Sequence, residues 1–141
     1  MNVEINEWVY DTAPEILETI GLGPCMGIAI YDQRTQSGYL AHLVSPKATK
    51  HWNEFMAEVS NRFSDLSKLE VTLAGACIED EDDVGNREYV LEDLERRGFK
   101  KINTEFNDDL CYCADLVLYL NNGELEIEHT DLNDFRDLDL Y

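Results

Sequence analysis

Apolar residues in this chain recur in two rhythms. In "KATKHWNEFMAEVSNRFSDLS", Trp52, Phe55, Met56, Val59 and Phe63 return at spacings of three and four, which marks one face of a helix packed on a core. "REYVLEDLERRG" repeats that rhythm with Tyr89, Val90, Leu91 and Leu94 and stops at Gly98, so a second amphipathic helix is predicted. "DTAPEILETIG" has Ile16, Leu17 and Ile20 at roughly helical spacing behind capping residues, and a short helical turn is predicted there.

The second rhythm is that of strands. "CMGIAIYD" and "YLAHLVSP" are short apolar runs joined by the turn "QRTQSG" and stopped by Pro46, a hairpin pattern. "LEVTLAGA" reads as a third strand whose Gly75 suggests a bend or a close backbone approach, and the acidic "EDEDDVGN" after it reads as an exposed loop. "FKKINTEF", "CYCADLVLYL" and "ELEIEH" are further strand-like runs, the last two joined by "NNG", a strong hairpin signal. Tight turns between strands favour antiparallel pairing. The expected fold is therefore α+β, a largely antiparallel sheet arrangement with both main helices on one side. One domain over residues 1–129 is expected, followed by an acidic tail over 130–141 read as disordered.

Composition narrows the partners. The 141 residues carry 30 Asp plus Glu against 11 Lys plus Arg, a net charge of -19 that repels nucleic-acid phosphates and anionic lipid surfaces. The start "MNVEINEWVY" has no basic run leading into an apolar stretch, and no segment approaches membrane-spanning length. A cytoplasmic protein with no nucleic-acid partner and no membrane insertion is the expectation. Four cysteines, Cys25, Cys77, Cys111 and Cys113, are too few and too irregularly placed for a disulfide framework, and free thiols are expected.

Cys25 follows the turn "GLGP" and opens a strand, with Gly21 and Gly23 leaving room for close approach. A single cysteine is most often a small buried residue, and a nucleophilic one needs a base to take its proton. The histidines are His42, His51 and His129. His42 lies on the return strand of the hairpin and can fold back beside Cys25, whereas His51 opens a helix and His129 closes the last strand. A histidine flanked by Ala41 and Leu43 is equally compatible with a satisfied core residue. "CYC" has no second pair at zinc-site spacing, and there is no Walker loop, GxGxxG or HExxH.

Taken together, "TIGLGPCMGIAIYD" and "SGYLAHLVSP" resemble the signature of the CheD family, the chemoreceptor glutamine deamidases of bacterial chemotaxis. "VTLAGA" and "VGNREYVLEDLERRGF" extend the resemblance, the latter being similar to the family's "IGxRN" helix start, and it spans roughly Thr19 to Ile127. The same Cys and His arrangement occurs in certain bacterial toxin deamidases.

The resemblance implies an α/β/β sandwich and a cysteine-dependent hydrolysis of glutamine to glutamate and ammonia, with no metal or organic cofactor. Cys25 would be the nucleophile, His42 the general base and acid, and Thr19 the hydroxyl that orients the histidine. Gly23, Pro24 and Cys25 would form the loop around the oxyanion. The implied partners are a glutamine-bearing protein, a chemoreceptor in the family, and a CheC-like phosphatase. Three features depart from the family pattern: Pro24 where Ser or Thr is common, "NDDLCYCAD" in place of a Gly-Gly and Gly-Arg pattern, and the acidity of the chain. They leave two alternatives: a binding module that has lost the reaction, or an amidase acting outside chemotaxis.

Overall fold

The structure, a computed structural model, describes residues 1–108 and 112–131, without the side chains of Tyr112 and Asp131. Its elements in chain order are β1 (Glu7–Thr12), β2 (Ile16–Leu22), β3 (Met26–Asp32), β4 (Ser37–Leu43), α1 (His51–Arg62), β5 (Glu70–Gly75), α2 (Glu81–Arg97), β6 (Lys101–Phe106), β7 (Tyr112–Tyr119) and β8 (Leu125–Asp131). The tail read as disordered lies, beyond Asp131, outside the described residues, as does Cys111.

Two sheets form. One runs β1-β4-β3-β5-β6 and the other β2-β7-β8. All pairings are antiparallel except β5 with β6, which α2 joins as a parallel crossover. The expected α+β architecture is what the chain adopts, with the helices on one side.

β3 and β4 are buried along their whole length because each face of the larger sheet meets a different layer. Ile28, Ile30, Tyr39, Ala41, Val71 and Leu73 point toward Trp52, Phe55, Met56 and Val59 of α1 and Val90 and Leu94 of α2. The intervening residues Ala29, Tyr31, Leu40 and Ala74 point the other way, onto Leu17, Leu22, Leu116 and Leu118 of the smaller sheet. The order is helices, large sheet, small sheet. Period-two alternation thus fills two cores from one set of strands.

Two readings of the sequence are corrected. The segment from Ile16 to Leu22 is a strand and not a helical turn: Leu17, Thr19 and Leu22 are buried while Ile16, Glu18 and Ile20 are exposed, and the strand pairs with β7. Cross-strand pairing and burial at Leu17 and Thr19 outweigh the weak helical spacing. The acidic run read as a loop is largely the first turns of α2. Asp80 caps the helix, its carboxylate accepting from Asp83 N while the Asp83 carboxylate accepts from Asp80 N, and Glu81, Asp82 and Asp83 sit at the positive end of the helix dipole. Acidity there is helix-forming chemistry.

Candidate active site

Thr19 and His42 come from different sheets and meet in the buried space between them. Both side chains are almost fully enclosed, and Thr19 Oγ1 lies 2.7 Å from His42 Nδ1. The threonine hydroxyl donates its single hydrogen to the Val3 carbonyl, 2.8 Å away, which can only accept. Nδ1 must therefore donate to Thr19. The proton of the neutral ring is on Nδ1, and Nε2 carries the free lone pair.

Burial pushes the His42 pKa below that of an ordinary histidine, against a smaller upward pull from the Glu4 carboxylate. The imidazole is neutral near pH 7. Nε2 is buried and makes no hydrogen bond among the described residues. A neutral base with an unengaged lone pair is what proton abstraction requires.

Cys25 stands just before β3. In the β3–β4 register Gly27 faces His42 and Met26 faces Leu43, so continuing the alternation puts Cys25 on the same face as His42, one diagonal step away. Such neighbours lie about 7–8 Å apart between backbones, less between side chains. The thiol is half-buried against the core between the sheets, and burial raises its pKa, with its own backbone N–H pulling the other way. Thiol and imidazole both rest uncharged, and catalytic hydrogen bonds of this kind commonly tighten only when substrate is bound.

The loop ahead of Cys25 is tied down at several points. The Cys25 carbonyl accepts from Ala76 N at 2.8 Å and the Gly23 carbonyl from Cys77 N at 2.9 Å. Gly21 N donates to Asp115 Oδ1 at 3.0 Å, and Gly21 itself needs its glycine for a φ of 75°. Leu22 packs over Gly27 and Gly75, where a Cβ would fall 2.7 Å and 2.6 Å from its side chain. Outward from the loop the space is open: a Cβ on Gly21 or Gly23 would meet nothing within 4 Å. Of the three loop residues named from the resemblance, Pro24 has no N–H and the Gly23 N–H is taken by the Gly21 carbonyl at 3.0 Å. The Cys25 N–H is the one of the three that acts on the sulfur, pulling the thiol pKa down against burial.

Among the other sequence candidates, His51 opens α1 and His129 lies exposed on β8 opposite Ala114, each on a different element from the Thr19–His42 pair. Cys77 is buried beside the loop through its backbone, and Cys113 lies on β7. Sequence reasoning missed Val3, whose carbonyl fixes the tautomer, because a backbone acceptor leaves no mark in residue type.

Fold and site together define a two-sheet, two-helix domain with a half-buried thiol on the face that carries an oriented, neutral imidazole. No family model matches the chain. It is 40% identical over 76 residues to the protein of Moorella thermoacetica named "Probable chemoreceptor glutamine deamidase CheD", a match covering 52% of this chain and 42% of that protein. The protein of the same name from Archaeoglobus fulgidus is 38% identical over 73 residues, covering 44% of this chain and 46% of its own length. That from Haloarcula marismortui is 46% identical over 48 residues, 34% of this chain and 28% of the relative. Over these segments the chain is similar to proteins named as CheD. It spans less than half the length of these curated relatives.

Proposed function

We propose that this protein is a cysteine-dependent protein-glutamine deamidase, converting a glutamine side chain to glutamate with release of ammonia. The observation that carries the reading is the Val3–Thr19–His42 chain of hydrogen bonds, which leaves His42 Nε2 as a buried acceptor on the face shared with Cys25. The relatives named for this activity support it.

In this mechanism His42 takes the Cys25 proton and the thiolate attacks the carboxamide carbon. The C–N bond then breaks as His42 returns that proton to the departing nitrogen, giving ammonia and a thioester. Water, deprotonated by His42, attacks the thioester carbon. The C–S bond breaks, sulfur regains its proton, and the product is glutamate. Oxyanion charge is met by backbone N–H groups, of which Cys25 N–H is the first candidate. The open space beside Gly21 and Gly23 supplies a route for an extended side chain.

The substrate class is a protein bearing an accessible glutamine, a chemoreceptor by the names of the relatives, with a CheC-like phosphatase as regulatory partner and the cytoplasm as the place of action. No helix among the described residues is long and apolar enough to cross a membrane. The raised Cys25 pKa favours one second reading, a binding module whose thiol is inert.

Receptor cytoplasmic fragments incubated with the protein test these readings, with glutamine sites followed by mass spectrometry and ammonia by coupled assay. Conversion by the wild type and none by Cys25→Ala is expected. Ammonia release retained in Cys25→Ala would overturn the assignment. A Cys25 that does not react with iodoacetamide at neutral pH would favour the binding module.

A further inference from the structure

We propose that Arg87 is a positioning residue for the Cys25 loop, acting through the carbonyl of Ala76. The inference rests on the reading of Cys25 as nucleophile. Arg87 lies in the second turn of α2, and its side chain is only 13% exposed. Nε donates to the Ala76 carbonyl at 2.8 Å, Nη2 to the Asn107 carbonyl at 3.0 Å, and Nη1 to Asp108 Oδ1 at 2.7 Å. The guanidinium also lies over the Phe106 ring, 4.5 Å from its centre.

What these bonds hold is the turn that anchors the loop. Gly75 and Ala76 are consecutive residues in the left-handed region, with φ of 72° and 53°. An alanine enters that region only where its surroundings impose it. The consequence is that Ala76 N and Cys77 N point at the carbonyls of Cys25 and Gly23. Arg87 grips the turn from both sides, directly at Ala76 O and indirectly through Asn107, whose N–H donates to Gly75 O at 2.9 Å. A single residue, Ala76, therefore links the guanidinium to the backbone of Cys25.

The planar fork is what this needs. Two carbonyls, one carboxylate and a ring face are engaged at once, and a lysine ammonium reproduces the charge without that geometry. Arg87 touches neither thiol nor imidazole. Its removal shifts where the sulfur sits, and displacements on the order of 1 Å cost on the order of 10²-fold in rate.

The test compares wild type, Arg87→Ala and Arg87→Lys by two readouts, with thermal unfolding as a check on folding. The first is kcat and KM on a glutamine-bearing receptor fragment. The second is the pH profile of Cys25 alkylation by iodoacetamide, followed on the Cys25 peptide, with His42→Ala as reference. Expected are a kcat lower by about 10²-fold in Arg87→Ala with KM little changed, an alkylation profile displaced toward that of His42→Ala, and intermediate behaviour in Arg87→Lys. Should Arg87→Ala fail to fold, Arg87→Lys carries both readouts. Folded variants with kcat within about threefold of wild type and an unmoved profile overturn the proposal while leaving the deamidase reading intact. A wild type that deamidates nothing, with an alkylation profile that still shifts in the variants, overturns that reading and leaves the positioning role standing.

Discussion

Thr19 and His42 hydrogen-bond at 2.7 Å across the gap between two sheets, and the Val3 carbonyl dictates which of them donates. Replacing Thr19 by Val removes the acceptor for Nδ1–H and frees the ring to turn or change tautomer. A kcat lower by on the order of 10²-fold is expected, while Thr19→Ser keeps the hydroxyl and most of the rate. Steady-state kinetics of the two variants check this. Equal losses in both would show that the residue acts by packing alone.

The acid limb of the pH–rate profile follows from burial at the same ring. His42 is held below the ordinary histidine value of about 6.5. As pH falls through that lowered value the base is protonated, so kcat/KM should decline only below about 6.5. Glu4→Gln removes the carboxylate that pulls the other way and should move the limb further toward acid. The same sign governs folding: the unfolded chain binds the proton first, so the contribution of neutral His42 to stability is present above about 6.5 and is lost as pH falls through the folded value. Denaturant unfolding from pH 7.5 to 5, in wild type and His42→Asn, measures that difference in slope.

Much of this site was legible in the residues and part of it was not. The β3–β4 hairpin showed as two apolar runs around a turn, and its register alone brings His42 to the face of Cys25. Gly75 announced a close approach, which the structure fills with Leu22. The β2 strand was hidden because Ile16, Leu17 and Ile20 mimic a helix face when the partner strand β7, roughly a hundred residues later in the chain, is not in view. α2 began earlier than its apolar rhythm because its first turns are defined by capping and charge. The Val3 acceptor and the Arg87 grip on Ala76 act on backbone carbonyls, and such contacts depend on tertiary placement.

Away from the site, Asp93 of α2 joins the two helices. It accepts from Trp52 Nε1 at 2.7 Å and Arg97 Nε at 2.6 Å, and it also pairs with Arg96. Burial raises its pKa, but the hydrogen bonds from Arg97, Trp52 and Arg96 outweigh this and hold the carboxyl below the ordinary aspartate value. Asp93→Ala leaves the Trp52 N–H buried without its partner and should cost about 2–4 kcal/mol. The wild-type advantage is present above the unfolded aspartate value, about 3.9, and shrinks as pH falls through the lower folded value. Urea unfolding of wild type and Asp93→Ala at pH 7 and pH 3 reads both effects, and a difference that grew toward acid would contradict them.

Two glycines near Cys25 should respond to alanine in opposite ways. At Gly75 the φ of 72° disfavours any side chain, and a Cβ would fall 2.6 Å from Leu22 Cβ and 2.9 Å from the Cys25 carbonyl oxygen. The last of these is backbone that the Ala76 N–H already holds, so little can yield. Gly75→Ala should cost about 2 kcal/mol or more in stability and displace the Cys25 loop. At Gly23 a Cβ meets nothing within 4 Å, so Gly23→Ala should leave the unfolding midpoint nearly unchanged. What it fills is the open space through which the glutamine side chain is proposed to arrive. Its effect should appear in KM for the receptor fragment, with kcat much less altered. A fall in thermal stability for Gly23→Ala as large as that for Gly75→Ala would mean that the loop packs more tightly than this geometry has it, and that the route to Cys25 lies elsewhere.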